Sequence, residues 1–215
     1  MKSYNSIEYY GEYWGLPILA FDKLDGSNLR FEWSKKRGFY KSGSRNVMID
    51  ENSEQFGQGV KIFKEKYEEP LSRVFTTKKY RDILSFVCYA EFVGKKSAFG
   101  QHEFGADDFD VVLFDIDRYK KGYVPPRDFV DDFGSFGIPK VVYIGNLNKE
   151  LVESVKRNDF NLSEGVICKG KIATKKGQEQ LYYCKIKTDE WFTRLRALGN
   201  EKMIAEEMAQ ANRHK

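Results

Sequence analysis

The chain has 215 residues, 41% of them hydrophobic and 15% aromatic, which suits one substantial packed core and argues against a disordered chain. Its 36 basic and 32 acidic residues leave a net charge of +4, which permits a polyanionic partner without demanding one. Three cysteines with no C-x-x-C pair, and only His102 and His214 as histidines, argue against a zinc site and for reduced, buried thiols. No basic-then-apolar leader and no membrane-length apolar run is present, so a soluble, intracellular, cytoplasmic protein without a membrane partner is expected.

In chain order, Leu16 to Asp22 reads as a strand, Leu24 to Ser27 as a turn, and Asn28 to Trp33 as a second strand. Lys35 to Gly38 carries turn chemistry, with Gly38 free to take a positive φ, and Phe39 to Ser42 starts a returning strand. Phe56, Val60, Phe63 and Tyr67 recur at helical spacing. Ser53 is the expected N-cap, and Pro70 is expected to end or kink that helix. Ile83 to Val93 reads as a strand, and Gly94 to Asp108 as an irregular loop in which His102 is a surface residue. Phe109 to Ile116 is nearly all apolar, so burial on both faces is expected. After Pro125-Pro126 comes a short helix, Arg127 to Phe133. Lys140 to Ile144 is a strand, and Asn148 caps a helix running to Arg157. Glu164 to Lys169 and Leu181 to Lys187 are strands joined by a basic loop. From Asp189 the pattern is helical: Trp191, Leu195 and Leu198 form an apolar stripe, Gly199-Asn200 a break, and Ile204 and Met208 a continuation. The expected class is α+β, with antiparallel sheets and helices packed outside. Paired lysines such as Lys35-Lys36, Lys95-Lys96, Lys120-Lys121 and Lys175-Lys176 read individually as solvated turns.

The first chemical signal is Lys23-Leu24-Asp25-Gly26, a K-x-D-G element between two strands. About one random chain in 25 of this length would contain it, and Asp25-Gly26 is ordinary turn chemistry. Its company matters more. Lys41-Ser42-Gly43-Ser44-Arg45 follows on the returning strand, then Tyr89-Ala90-Glu91-Phe92-Val93-Gly94 and Leu113-Phe114-Asp115-Ile116. Glu164-Gly165-Val166-Ile167-Cys168-Lys169 and Tyr183-Cys184-Lys185-Ile186-Lys187 close the series. Charges in or beside apolar strands are costly unless paired or bound. Glu91, Glu164, Lys185 and Lys187, added to Lys23, therefore suggest a shared polar cleft. Bland alternatives stay open: salt-bridged strand ends for the two glutamates, the solvent face of an edge strand for the two lysines, plain core for Phe114 and Trp191.

This ordered series resembles the covalent nucleotidyltransferase superfamily of ATP-dependent ligases and capping enzymes, in particular the phage-type RNA ligases. The match runs from about Phe21 to Lys187. It implies the adenylyltransferase fold, two antiparallel sheets flanked by helices, with residues 1–188 expected as the adenylation domain and 189–215 as its helical extension. The chain departs from capping enzymes and most DNA ligases of the superfamily in that the residues after Lys187 read as helix, so no OB-fold domain is expected. A phage genome is one source such a resemblance suggests. Lys23 resembles the nucleophile that forms lysyl-AMP. Asp22 and Leu24 match the backbone contacts to adenine, and Asn28 the polar residue ending the first motif. Lys41, or Arg45 in another register, matches the basic residue near the phosphate. Glu91 resembles the ribose ligand, Phe114 the ring that stacks on the base, and Glu164 the carboxylate that holds the metal. Lys185 and Lys187 resemble the lysines at the α-phosphate.

The chemistry has a physical basis. A lysine attacks phosphorus only as the neutral amine, so neighbouring cations must disfavour its charge. Those cations, with Mg²⁺ or Mn²⁺ on Glu164, would then offset charge developing on the phosphate of ATP. The expected activity is joining of RNA 5′-phosphate and 3′-hydroxyl ends through an adenylylated 5′ end. Nicked duplexes and DNA-containing ends are alternative substrates, and a partner protein could replace the absent C-terminal domain. The rivals are a minimal ATP-dependent DNA ligase, a capping-type guanylyltransferase, and a non-catalytic nucleic-acid-binding module.

Overall fold

The structure, a computed structural model, describes residues 1–94, 109–173, 179–197 and 201–212. The strands are β1 (Pro17–Lys23), β2 (Ser27–Ser34), β3 (Gly38–Ser44), β4 (Met48–Ile49), β5 (Ser85–Val93), β6 (Asp110–Arg118), β7 (Gly122–Tyr123), β8 (Val141–Asn146), β9 (Gly165–Ala173) and β10 (Glu179–Lys187). The helices are α1 (Gly57–Phe63), α2 (Glu69–Phe75), α3 (Pro126–Phe133), α4 (Lys149–Lys156), α5 (Asp189–Ala197) and α6 (Glu201–Asn212). The fold is α+β with two antiparallel sheets flanked by helices, as expected. The expectations for His102, Leu198, Gly199-Asn200 and the Lys95-Lys96 and Lys175-Lys176 pairs lie outside the described residues.

Two compact units are formed, each from two stretches of chain: Met1–Asn5 with Asp25–Ile138, and Ser6–Leu24 with Pro139–Lys215. In the first unit the sheet order is β4-β3-β2-β5-β6-β7. The period-2 alternation of β2 sends Leu29, Phe31 and Trp33 into the core. There the Phe31 and Phe63 rings stack with centroids 3.5 Å apart, and Phe75 stacks on Phe86 at 3.9 Å. Each such buried ring contributes about 1.5–3 kcal/mol from the area it removes from water. The Tyr67 hydroxyl donates to the carbonyl of Val111 at 2.9 Å, tying the helical layer to β6.

In this unit two local expectations need correction, and of the two outcomes expected at Pro70 one is excluded. Pro70 does not end the helix. A π-helical stretch, Lys64–Glu68, leads directly into α2, with Pro70 in its first turn. The wider turn lies where the proline ring would meet the carbonyl four residues upstream and where its missing N–H leaves a bond unmade. Ser53 is not the N-cap of α1. Its Oγ accepts the Asp50 N–H at 2.9 Å in the preceding turn, and the helix starts after Phe56 without a side-chain cap. Nor is β6 buried on both faces, because Val111 and Leu113 are buried while Val112 and Phe114 are half-buried.

In the second unit the order is β10-β9-β1-β8. One face of this sheet carries Ile18, Ala20, Val166, Cys168, Cys184 and Ile186, packed with Leu151, Val152 and Val155 of α4. Asn148 caps α4 as expected, accepting the Leu151 N–H at 2.8 Å. All three cysteines are free and buried, also as expected. The apolar stripe expected to continue through Met208 does not: Ile204, Glu207 and Gln210 share the half-buried side of α6, while Met208 is exposed. No described helix is long and apolar enough to cross a membrane.

Candidate active site

The site in the second unit follows from strand register. Lys23 of β1 is opposite Gly165 of β9, and Gly165 is opposite Lys187 of β10. Directly opposed residues share a face, so both lysines leave the sheet on the same side. They converge on Glu164, the residue just before β9. Lys23 Nζ is 2.5 Å from Glu164 Oε2, and Lys187 Nζ is 2.8 Å from Oε1. Gly165 takes a φ of +155°, and a Cβ there would fall 2.1 Å from the carbonyl oxygen of Ile186. Only glycine leaves the lysines this approach.

Lys185 lies two residues before Lys187, on the same face. Although β10 is an edge strand, neither lysine is solvated; their side chains are 10% and 3% exposed. The N-terminal segment covers the edge, with the Lys185 N–H donating to the carbonyl of Glu8 at 3.0 Å. Lys187 Nζ sits 3.3 Å above the centre of the Trp191 ring, so this buried tryptophan is a cation partner as well as core. Glu207 of α6 accepts from the Tyr9 hydroxyl at 3.0 Å and pairs with Lys187 at 3.2 Å and Lys185 at 3.4 Å. Lys169 is also buried, its ammonium near the Phe21 and Tyr183 rings.

The electrostatics are those of a dense, partly dry cluster. Burial opposes ionisation of Glu164, but Lys23 and Lys187 outweigh it and hold its carboxyl below the ordinary range. Burial pushes the Lys185 ammonium down; Glu207 works against that, while Lys187 and Lys23 reinforce it. Asp22, in register with Val166 rather than Gly165, is pushed up to about 6 by burial, with Lys140 and Lys23 opposing. Among the described residues, its buried Oδ1 has no hydrogen-bond partner.

A second constellation forms in the first unit. Asn28 of β2 is opposite Glu91 of β5, and Glu91 is opposite Val112 of β6. The ladder between β5 and β6 then shifts: Ala90 pairs with Leu113 and Tyr89 with Asp115, leaving Phe114 as the extra residue. Such a bulge turns adjacent side chains toward one side. Tyr4 meets both, its ring edge-on to Phe114 at 5.0 Å and its hydroxyl donating to Asp115 at 2.9 Å. Asn28 Oδ1 is buried without a hydrogen-bond partner among the described residues. Gly26 lets the backbone close on β5, since a Cβ there would lie 2.5 Å from the carbonyl oxygen of Phe92. Lys41 and Arg45 are exposed on and just after β3, and Leu24 is half-buried after β1.

Within the second unit, therefore, Lys23, Glu164, Lys185 and Lys187 come together. Within the first, Asn28, Glu91 and Phe114 share a sheet surface. Tyr9, Glu207 and Gln210 had no signal in the sequence, because nothing in an amphipathic pattern says which carboxylate of a helix turns inward.

A family model described as RNA ligase matches residues 16–187. The chain belongs to the RNA ligase family. The span contains Lys23, Glu164, Lys185 and Lys187, while Tyr9, Trp191 and Glu207 lie outside it. Among solved structures, this RNA ligase family member is similar to an archaeal ATP-dependent RNA ligase (14% identity, TM-score 0.64, 90% of this chain and 50% of that one). It is similar to Naegleria gruberi RNA ligase with PPi (13% identity, TM-score 0.63, 92% and 58%). A variant of the Naegleria gruberi enzyme with ATP and Mn aligns at 15% identity and a TM-score of 0.59, over 88% and 57%. The likeness is one of fold, and the chain spans 50–58% of the length of these relatives. No curated protein matches it.

Proposed function

We propose that this protein is an ATP-dependent RNA ligase in which Lys23 becomes covalently adenylylated. The observation that carries the reading is the placement of Lys23 and Lys187 in register on either side of Gly165, both on the buried carboxylate of Glu164. This presents a nucleophile beside cations suited to a phosphate. The neutral Lys23 amine attacks the α-phosphorus of ATP. A P–N bond forms, the bond to pyrophosphate breaks, and the amine loses its proton. An RNA 5′-phosphate then takes the AMP, a 3′-hydroxyl attacks the adenylylated end, and AMP leaves as the phosphodiester forms.

Lys185 and Lys187 are assigned to the α-phosphate, and Glu91, Phe114 and Asn28 to the nucleoside. The orphaned Asn28 Oδ1 and the half-buried Phe114 ring suit that role. Asp22 and Leu24 are assigned backbone contacts to adenine, and the exposed Lys41 and Arg45 contacts to phosphate or an RNA end. Residues 1–188 serve as the adenylation domain, with 189–215 as its helical extension.

Among the described residues no group of three or more His, Cys, Asp or Glu side chains could hold a metal ion. The buried Glu164 carboxylate fits a different arrangement, in which Mg²⁺ or Mn²⁺ is held by one carboxylate together with water and substrate phosphates. There the ion would supply charge neutralisation at the phosphate. The relatives solved with ATP and Mn and with PPi support this use of nucleotide and metal. Mass spectrometry after incubation with ATP and Mg²⁺ tests the proposal. An AMP adduct on Lys23, absent from Lys23→Ala, is expected. An adduct formed from GTP and not from ATP would sink it. Nicked RNA against nicked DNA then decides the acceptor.

A further inference from the structure

Glu207 is a carboxylate on α6, yet it is held as an anionic ligand would be. Three donors from two separate segments converge on it: the Tyr9 hydroxyl at 3.0 Å, Lys187 Nζ at 3.2 Å and Lys185 Nζ at 3.4 Å. Gln210, three residues along the same helix, takes a further proton of Lys185 at 2.9 Å. Helix α6 thus presents Glu207 and Gln210 inward while Met208 stays exposed. Burying a carboxylate is costly unless it is paired, and here three donors pair it. Burial does oppose the Glu207 charge, and Lys187, Lys185 and Tyr9 outweigh it, holding its carboxyl below the ordinary range.

We propose that Tyr9, Lys185 and Lys187 form an anion cradle for the nucleotide phosphate, and that Glu207 is its internal occupant, displaced when the phosphate enters. The inference rests on the proposed assignment of Lys185 and Lys187 to phosphate, and it adds two things. Tyr9 becomes a phosphate-binding residue, supplying a neutral hydroxyl donor beside two ammonium groups. Helix α6 becomes a tethered competitor. The Glu207 carboxylate and a phosphate oxygen compete for the same three groups, because the Tyr9 hydroxyl has one proton to give and Lys187 already divides its own between Glu164 and Glu207. Displacing Glu207 also releases Gln210 from Lys185, so the docked face of α6 loses both polar anchors together.

The test uses the full chain and α,β-methylene ATP, which cannot pass AMP to lysine. Equilibrium binding should be about tenfold tighter in Glu207→Gln, the change expected when one competing charge is removed. It should be about fivefold weaker in Tyr9→Phe and unchanged in Glu206→Gln, whose side chain on the same helix is exposed. Hydrogen exchange on the unsubstituted protein gives a reading free of folding artefacts: the amides of α6 should exchange faster at saturating analogue. Unchanged or weaker binding in a folded Glu207→Gln, or α6 amides equally or more protected with analogue bound, would overturn the cradle while leaving Lys23 adenylylation standing. No binding by the unsubstituted chain together with no AMP adduct on Lys23 would overturn both.

Discussion

Glu164 and Asp22 sit in one unit of the molecule yet should respond to pH with opposite sign. The Glu164 carboxyl is held below its ordinary value of 4.5 because Lys23 and Lys187 outweigh its burial. The stability it contributes is therefore complete above that value and lost as the pH falls through the lower folded-state value. Asp22 is raised from 3.8 to about 6, chiefly by burial. Between those two values the folded protein binds more protons than the unfolded chain, so stability declines as the pH rises and stays reduced above about 6. Two measurements follow. In chemical denaturation at neutral pH, Glu164→Ala should cost about 3 kcal/mol or more, the usual cost of removing one side of a buried pair, and should flatten the loss of stability in acid. Thermal melts of Asp22→Asn at pH 8 should gain about 1 kcal/mol, discounted for partial screening, or roughly 2–4 °C. No gain is expected at pH 4, where the native carboxyl is already neutral.

At the level of elements, the decisive device is a glycine between two lysines. Gly165→Ala would drive a methyl group into the carbonyl of Ile186 and the backbone of Lys187. A loss of about 1–3 kcal/mol is expected, as for other forced overpacking. The sharper readout is the AMP adduct on Lys23, which should fall far more than the stability does, because Lys187 and Glu164 shift together. The motif residues were legible as a set because they occupy strands: a charge in a strand otherwise apolar is visible without coordinates. Strand pairing was not. Nothing in Lys23, Gly165 or Lys187 taken singly says that they are cross-strand neighbours. The bulge that turns Phe114 out of the core is equally silent, since an all-apolar run gives no sign of an inserted residue. The π-helical stretch before Pro70 escaped for a similar reason: proline announces a disturbed hydrogen bond but not whether the helix breaks or widens. Met208 was misjudged because periodicity rewards apolar positions, whereas the half-buried side of α6 also carries Glu207 and Gln210, which meet Lys185 and Lys187.

For the whole molecule, nucleotide binding should appear as added stability. If the phosphates engage Lys185 and Lys187, α,β-methylene ATP at a hundred times its Kd adds about 2.7 kcal/mol. For a chain of this size that raises Tm by roughly 5–10 °C, and Lys187→Ala should lose most of the shift in the same scan. The two units also bear on how the protein comes to exist. The sheet of the first is complete once Tyr123 has been made, and α3 follows directly. The strand bearing Lys23 belongs to the other unit, and its neighbours are β8 and β9. Its ion-pair partner Glu164 comes 141 residues later in the chain. On the ribosome, where chains grow at about 5–20 residues per second, Lys23 is among the first side chains to emerge and among the last to find its surroundings. On the proposal that Lys23 is the nucleophile, the newborn chain carries it unarmed for most of its synthesis, and the amine meets Glu164 and Lys187 only when β9 and β10 close the ladder beside it.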